Sequence, residues 1–299
     1  MSSQVRLSLL PRARCMFDEP VQVKVAGLRS RQVVTLRARS TDEKGVVFSS
    51  SATVRADGSG RIDLERDPSL GGTYTGVEPM GLLWSMRPDA LHKRFQRTKS
   101  LNPHVVKFSV HEEEGGMLAE ATNERLLIGD GVIRRPIKEG NIRGVVFTPP
   151  GEGPFPAVLD LYTFGGGLSG KKVLNDPRAE ENEATLIPVE RAEGRLLFAA
   201  SEDDLNWDSK AYVDMMVERL QRHGKDNFES VCYPGAGHYL EPPYGPYCPS
   251  SLHGVAGRVV LWGGEARSHA AAEVHLWKKI QEFFRTHLSC DTTQTKAKL

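Results

Sequence analysis

The sequence predicts an α/β protein in two parts: a β-sandwich over residues 1–138, then a domain of parallel strands and helices over residues 139–299. Three observations predict it. Short β-rich runs alternating apolar with polar side chains fill the first part. Near-continuous apolar runs, each followed by a glycine-rich or acidic loop, mark the second. Stretches of helical periodicity occur in the second part.

In the first part, residues 5–10, 21–25, 33–38 and 105–110 are rich in valine and leucine, and several alternate with period two. Turn residues separate them, at 57–60 and at Gly71-Gly72. That pattern belongs to antiparallel sheets with one solvated face each. His92, His104 and His111 lie among these runs without metal-ligand spacing and read as surface or packing residues.

The texture changes at 136–140. Residues 144–148 read as a strand, 149–154 as a loop, and 157–162 as a strand apolar enough to be covered on both faces. Residues 194–200 read as another buried strand, 209–223 as a helix stopped by Gly224, and 229–233 as a further strand. The chain closes with an amphipathic helix over 268–288. Its apolar stripe of Val274, Trp277, Ile280, Phe284 and Leu288 is expected to face the core.

Composition narrows the function. Lys and Arg number 39 against 38 Asp and Glu, and no block of like charge occurs, so nucleic acid and membrane surfaces are not expected partners. A small molecule is. Cys15, Cys232, Cys248 and Cys290 are scattered without CxxC pairs, and the first residues carry no basic-then-apolar signal, which points to a reducing, intracellular compartment. No run approaches the ~20 apolar residues of a membrane span. Neither a metal nor a cofactor is expected. The ending Ala297-Lys298-Leu299 is a small-basic-leucine tripeptide close to the type read by the peroxisomal import receptor; a polar tail ending so by chance is the other reading.

Three loops carry candidate chemistry. Residues 164–168 set three glycines directly after an apolar strand, where the backbone can turn tightly and aim N–H groups at one point. In α/β-hydrolases such a loop supplies an oxyanion donor; an ordinary flexible loop is the alternative. Residues 201–204 place carboxylates after the strand 194–200, where open α/β sheets build their sites, although a solvated acidic turn has the same composition. Residues 235–239 deliver His238 on a small-residue loop after the next strand. An acid after one strand and a histidine after the next is the chain order of the last two members of the α/β-hydrolase triad.

Several segments are similar to the acyl-CoA thioesterase/bile-acid-CoA:amino-acid N-acyltransferase family, in particular its peroxisomal-type acyl-CoA thioesterases. They are residues 187–193, 203–207, 237–244 and 262–265, with 80–86 and 149–151 in the first half, so the resemblance runs over nearly the whole chain. It implies that Asp204 is the triad acid, His238 the general base, and Gly165 and Gly166 part of the oxyanion loop. It further implies hydrolysis of fatty acyl-CoA thioesters, or acyl transfer to an amino acid, through an acyl-enzyme. The acyl-CoA substrate and a peroxisomal location, with the cytosol as alternative, follow from the same likeness.

One part is missing. A nucleophile elbow, G-x-S-x-G or its cysteine form, belongs between the oxyanion loop and the acid. Only 26 residues separate Gly167 from Gly194, many of them charged or amide. One βαβ unit takes ~30 residues or more, so on the order of a hundred residues are absent relative to the family. Ser169 imitates an elbow without its spacing, and Cys232 and Cys248 read as ordinary thiols. The expected architecture is therefore an N-terminal β-sandwich followed by an incomplete α/β-hydrolase domain, with no assigned nucleophile and impaired or absent hydrolysis. The alternatives are a noncatalytic chain that pairs with full-length relatives and an N-acyltransferase.

Overall fold

Alternation builds the first sheets. The computed structural model describes residues 4–96, 102–159, 187–254 and 257–288. In β4 (Val33–Thr41) the inward residues are Val34, Leu36, Ala38 and Ser40; in β5 (Val47–Arg55) they are Phe48, Ser50, Ala52 and Val54. Antiparallel register sets Leu36 opposite Ala52 and, on the other side, opposite Val110 of β9 (His104–His111). Every second side chain of three adjacent strands thus meets on one face, which a shift of one residue would turn outward.

The remaining strands follow in chain order. β1 (Arg6–Leu10), β2 (Arg14–Met16) and β3 (Gln22–Ala26) precede β4; β6 (Ile62–Asp63), β7 (Gly71–Gly72), the one-turn helix α1 (Gly81–Trp84) and β8 (Arg87–Pro88) lie between β5 and β9; β10 (Met117–Leu126) follows. A three-stranded sheet runs β1-β3-β6, and a seven-stranded sheet runs β2-β10-β9-β4-β5-β7 with β8 also on β5. The hairpin β11 (Ile133–Glu139) and β12 (Ile142–Thr148) forms a sheet of its own.

The second half is built from β13 (Leu196–Ser201), α2 (Ser209–Arg222), β14 (Phe228–Tyr233), β15 (Ser250–His253), β16 (Arg258–Leu261) and α3 (Ala266–Leu288). β13 and β14 are parallel with α2 as their crossover, the unit that parallel pairing requires. Asp208 caps α2 by accepting from the Ala211 N–H, and Gly224, at φ +66°, ends it in a left-handed turn. Mostly strands with few helices, the chain is mixed α/β.

The chain forms two compact units, residues 1–153 with 241–251, and residues 154–240 with 252–299. The excursion 241–251 is therefore an integral part of the first unit. Glu241 pairs with Arg94, the Tyr247 N–H donates to the Trp84 carbonyl, and Tyr244 lies 5.7 Å from the Arg125 guanidinium. Arg125 is fully buried. It donates to the carbonyls of Phe17 (2.6 Å) and Glu19 (2.7 Å) and to Asn123 Oδ1 (3.1 Å), partners that make a buried cation tolerable.

Three expectations are corrected in the second unit. The stripe on α3 does not face the core: Val274 is 40% exposed and Phe284 36%, whereas His269, Ala270, Ala272, Glu273 and Leu276 are buried. The helix instead turns Ala272 and Leu276 into a cluster with Tyr233 and Ala236, against which Val231, Leu240 and, from the expected stripe, Ile280 pack. β13 is half-buried over Leu196–Phe198 rather than covered, because β14 is its one partner among the described strands. Residues 157–159 form no strand and Leu159 is 82% exposed; 160–162 lie outside the described residues. Among the described residues no helix is long and apolar enough to cross a membrane, and no His/Cys/Asp/Glu group could hold a metal ion.

Candidate active site

Asp204 and His238 stand at the ends of neighbouring parallel strands. The turn after β13 carries Asp204 and the turn after β14 carries His238. The turns are tied together, with the Asp203 N–H donating to the Ala236 carbonyl (3.0 Å) and the His238 N–H to the Trp262 carbonyl (2.8 Å). This brings His238 Nδ1 to 2.9 Å from Asp204 Oδ2. The carboxylate side chain is 2% exposed and the imidazole 25%, so the carboxylate is sealed and the imidazole is reachable.

Glycine makes the close approach possible. Gly263 bridges to Asp204 with φ +77°, and a Cβ there would fall 1.9 Å from the Asp203 carbonyl oxygen. A Cβ on Gly237 would fall 2.3 Å from the Gly263 carbonyl oxygen. Three loops meet backbone to backbone at these positions, with no room for a side chain.

The carboxylate is surrounded by donors. Burial pushes the Asp204 carboxyl up, but hydrogen bonds from His238, from the Ser209 hydroxyl and from the backbone N–H groups of Trp207 and Asn206 outweigh it. The carboxyl is held below the usual carboxylate range. It stays ionised, so Nδ1 carries the proton that lies between them. The other ring nitrogen agrees, since Asn206 Nδ2, which can only donate, lies 3.4 Å from His238 Nε2. Nε2 is therefore the acceptor, the state a general base requires. Stacking on Trp262, at 5.2 Å and 17°, holds the ring plane.

Among the described residues no serine or cysteine hydrogen-bonds to Nε2. Gly165, Gly166, Ser169 and the ending Ala297, Lys298 and Leu299 lie outside the described residues. Cys232 lies in β14 and Cys248 in the 241–251 segment; burial pushes both thiols up, away from the thiolate a nucleophile needs. An open apolar groove of about 380 Å³ is lined by Pro156, Val158, Phe284, Arg285 and Leu288. It lies at the far end of α3 from His269, roughly 22 Å along the axis. Sequence reasoning passed over Ser209, Asn206 and His269; the nearness of Asn206 and Ser209 to Asp204 in the chain is the signal that could have found the first two.

Known proteins resemble this chain over most of its length. The family described as acyl-CoA thioester hydrolase/BAAT N-terminal region matches residues 18–139, and that described as BAAT/acyl-CoA thioester hydrolase C terminal matches residues 160–290. Acyl-coenzyme A thioesterase 1 of Homo sapiens is 32% identical over 406 residues, covering 94% of this chain and 96% of its own. Mitochondrial acyl-coenzyme A thioesterase 2 of Homo sapiens is 32% identical over 406 residues, covering 94% and 84%. The peroxisomal succinyl-coenzyme A thioesterase of Mus musculus is 31% identical over 417 residues, covering 98% and 99%. Since this chain has 299 residues, an alignment of 406 positions leaves over a hundred without a counterpart in it. A solved structure, macromomycin, matches with a TM-score of 0.22 and 15% identity over 42% of this chain and 99% of its own, too low to bear on the fold. On the strength of two matched regions and end-to-end relatives, the chain belongs to the acyl-CoA thioester hydrolase/BAAT family.

Proposed function

We propose that this chain is an acyl-CoA thioesterase-type protein that keeps the acid and base of the hydrolytic machinery and lacks the nucleophile, so that its hydrolysis of fatty acyl-CoA to fatty acid and CoA is impaired or absent. The observation that carries the reading is the 2.9 Å contact between His238 Nδ1 and the sealed Asp204 carboxylate, with Nε2 left as acceptor. In a complete site a hydroxyl or thiol gives its proton to Nε2 as it attacks the thioester carbonyl. Asp204 steadies the imidazolium, and backbone N–H groups at Gly165 and Gly166 take the oxyanion. The leaving CoA thiolate recovers the proton from the imidazolium, and water, activated in the same way, then releases the fatty acid. The base and acid are supported here; the attacking atom is not.

The architecture that goes with this reading is a β-sandwich over 1–138 followed by an incomplete α/β-hydrolase domain over 139–299. An acyl-CoA ligand and, through Ala297-Lys298-Leu299, the peroxisomal import receptor are its partners, and the peroxisome its location. A second reading, a noncatalytic chain that pairs with full-length relatives, is favoured by the well-buried seven-stranded sheet of the first unit, which needs nothing from the missing segment.

Palmitoyl-CoA hydrolysis, followed by release of the CoA thiol, tests the proposal. Neither wild type nor His238→Ala should release CoA above the uncatalysed rate. Release by wild type that is lost in His238→Ala would show that an unassigned nucleophile or a directly activated water works with His238. Co-purification of a full-length relative would move the weight to the second reading.

A further inference from the structure

His269 is buried, polar and has no part in the chemistry above. It sits in the first turn of α3, 6% exposed. Its Nδ1 accepts from the Gly237 N–H at 3.0 Å, and its Nε2–H donates to the Tyr239 carbonyl at 2.7 Å, with Glu273 Oε1 at 3.4 Å from the same nitrogen. The two backbone groups it holds flank His238 on either side. We propose that His269 is a positioning residue for His238: it holds the backbone at Gly237 and at Tyr239, the residues on either side of the base, and so sets the direction in which the His238 imidazole leaves the backbone.

The inference rests on reading His238 as the base of the site, and three observations carry it. A buried backbone N–H left without an acceptor costs as much as a lost hydrogen bond, and the buried Gly237 N–H donates to His269 Nδ1. Packing alone would be served by an apolar side chain; the two directed bonds require one acceptor and one donor about an imidazole width apart. The start of α3 is itself anchored to the same loop. The Glu265 N–H donates to the Gly235 carbonyl, and the Glu265 carboxylate accepts from the N–H groups of Arg267 and Ser268. The clamp is thereby referenced to a fixed helix end. His238 and His269 must consequently hold opposite tautomers, Nδ1–H in the first and Nε2–H in the second.

The test uses the full chain labelled with ¹⁵N-histidine, reading the ring nitrogens and their protons by NMR. Wild type is expected to show His238 as the Nδ1–H tautomer and His269 as the Nε2–H tautomer. Asp204→Asn identifies the His238 Nδ1–H signal by removing it. In His269→Ala that proton should exchange with water roughly tenfold faster, the factor that one ordinary hydrogen bond is worth. His269→Asn, which keeps an acceptor for Gly237, should fall between. An Nδ1–H tautomer at His269 in wild type would overturn the proposal, as would a folded His269→Ala chain with unchanged His238 exchange. Should His269→Ala not fold, the wild-type tautomer and the Asn variant decide. Absence from wild type of any His238 signal that Asp204→Asn removes would instead overturn the Asp204–His238 pairing, with the His269 tautomer still readable.

Discussion

Asp204 accepts hydrogen bonds from four groups, two of them backbone N–H, and this makes its ionisation part of the stability of the second unit. A carboxyl held below its ordinary value contributes stability that is complete above the unfolded value of about 3.9 and is lost as pH falls through the folded one. Asp204→Asn should cost about 1–3 kcal/mol near neutral pH. It should also remove that share of the acid dependence, so that denaturant midpoints measured between about pH 5 and pH 3 fall less steeply in the variant than in wild type. Asp204 and His238 are legible in the sequence because each sits on a loop at the end of an apolar run. Ser209, Asn206 and His269 are not, since a single polar residue that satisfies a buried partner leaves no periodic trace.

At the scale of elements, alternation in residues 33–38 announces β4, and Gly224 announces the end of α2, because both signals are local. The stripe of α3 misleads for a physical reason. Hydropathy counts apolar residues, whereas the buried face of this helix carries Ala272 and Leu276, clustered with Tyr233 and Ala236, and the hydrogen-bonded His269. Likewise β13 reads as covered from its composition, while cover depends on neighbouring strands that lie elsewhere in the chain. The loop 262–265 is held by backbone contacts that only glycine allows. Gly263→Ala places a Cβ against the Asp203 carbonyl at a positive φ, and should cost more than the roughly 1–2 kcal/mol typical of the left-handed conformation alone. Urea unfolding read at Trp262, whose carbonyl holds His238, is the measurement that checks it.

For the whole molecule, most buried apolar side chains among the described residues belong to the first unit, and both units expose large apolar side chains, Leu91 and Ile133 in the first and Val158, Leu159, Ile187, Leu205 and Phe284 in the second. Exposed apolar surface of this kind, next to a parallel sheet in which two strands pair among the described residues, favours association. The chain is expected to self-associate with rising concentration in sedimentation experiments and to bind an apolar dye in its native state. The second unit should also unfold first. Of the four tryptophans, Trp207, Trp262 and Trp277 lie in the second unit and Trp84 in the first. Tryptophan fluorescence should therefore lose its native signal at a lower temperature than the circular dichroism of the strands, and one coincident transition of a monomer would contradict both expectations.

The excursion of residues 241–251 has a consequence for anyone who would divide this protein. The chain passes from one unit to the other at 153/154, at 240/241 and at 251/252, so the units are joined by three covalent threads rather than one. After a nick at 153/154, residues 1–153 stay attached only through their noncovalent contacts with the segment 241–251. A fragment cut at a simple boundary near residue 139 would carry Glu241, Tyr244 and Tyr247 away from Arg94, Arg125 and Trp84, leaving a charged and aromatic ribbon on one piece and its empty bed on the other. A separable first unit has to be made by grafting the ribbon back or by splitting the gene so that both pieces are present together. Its recovery as a soluble species should depend on which of these is done.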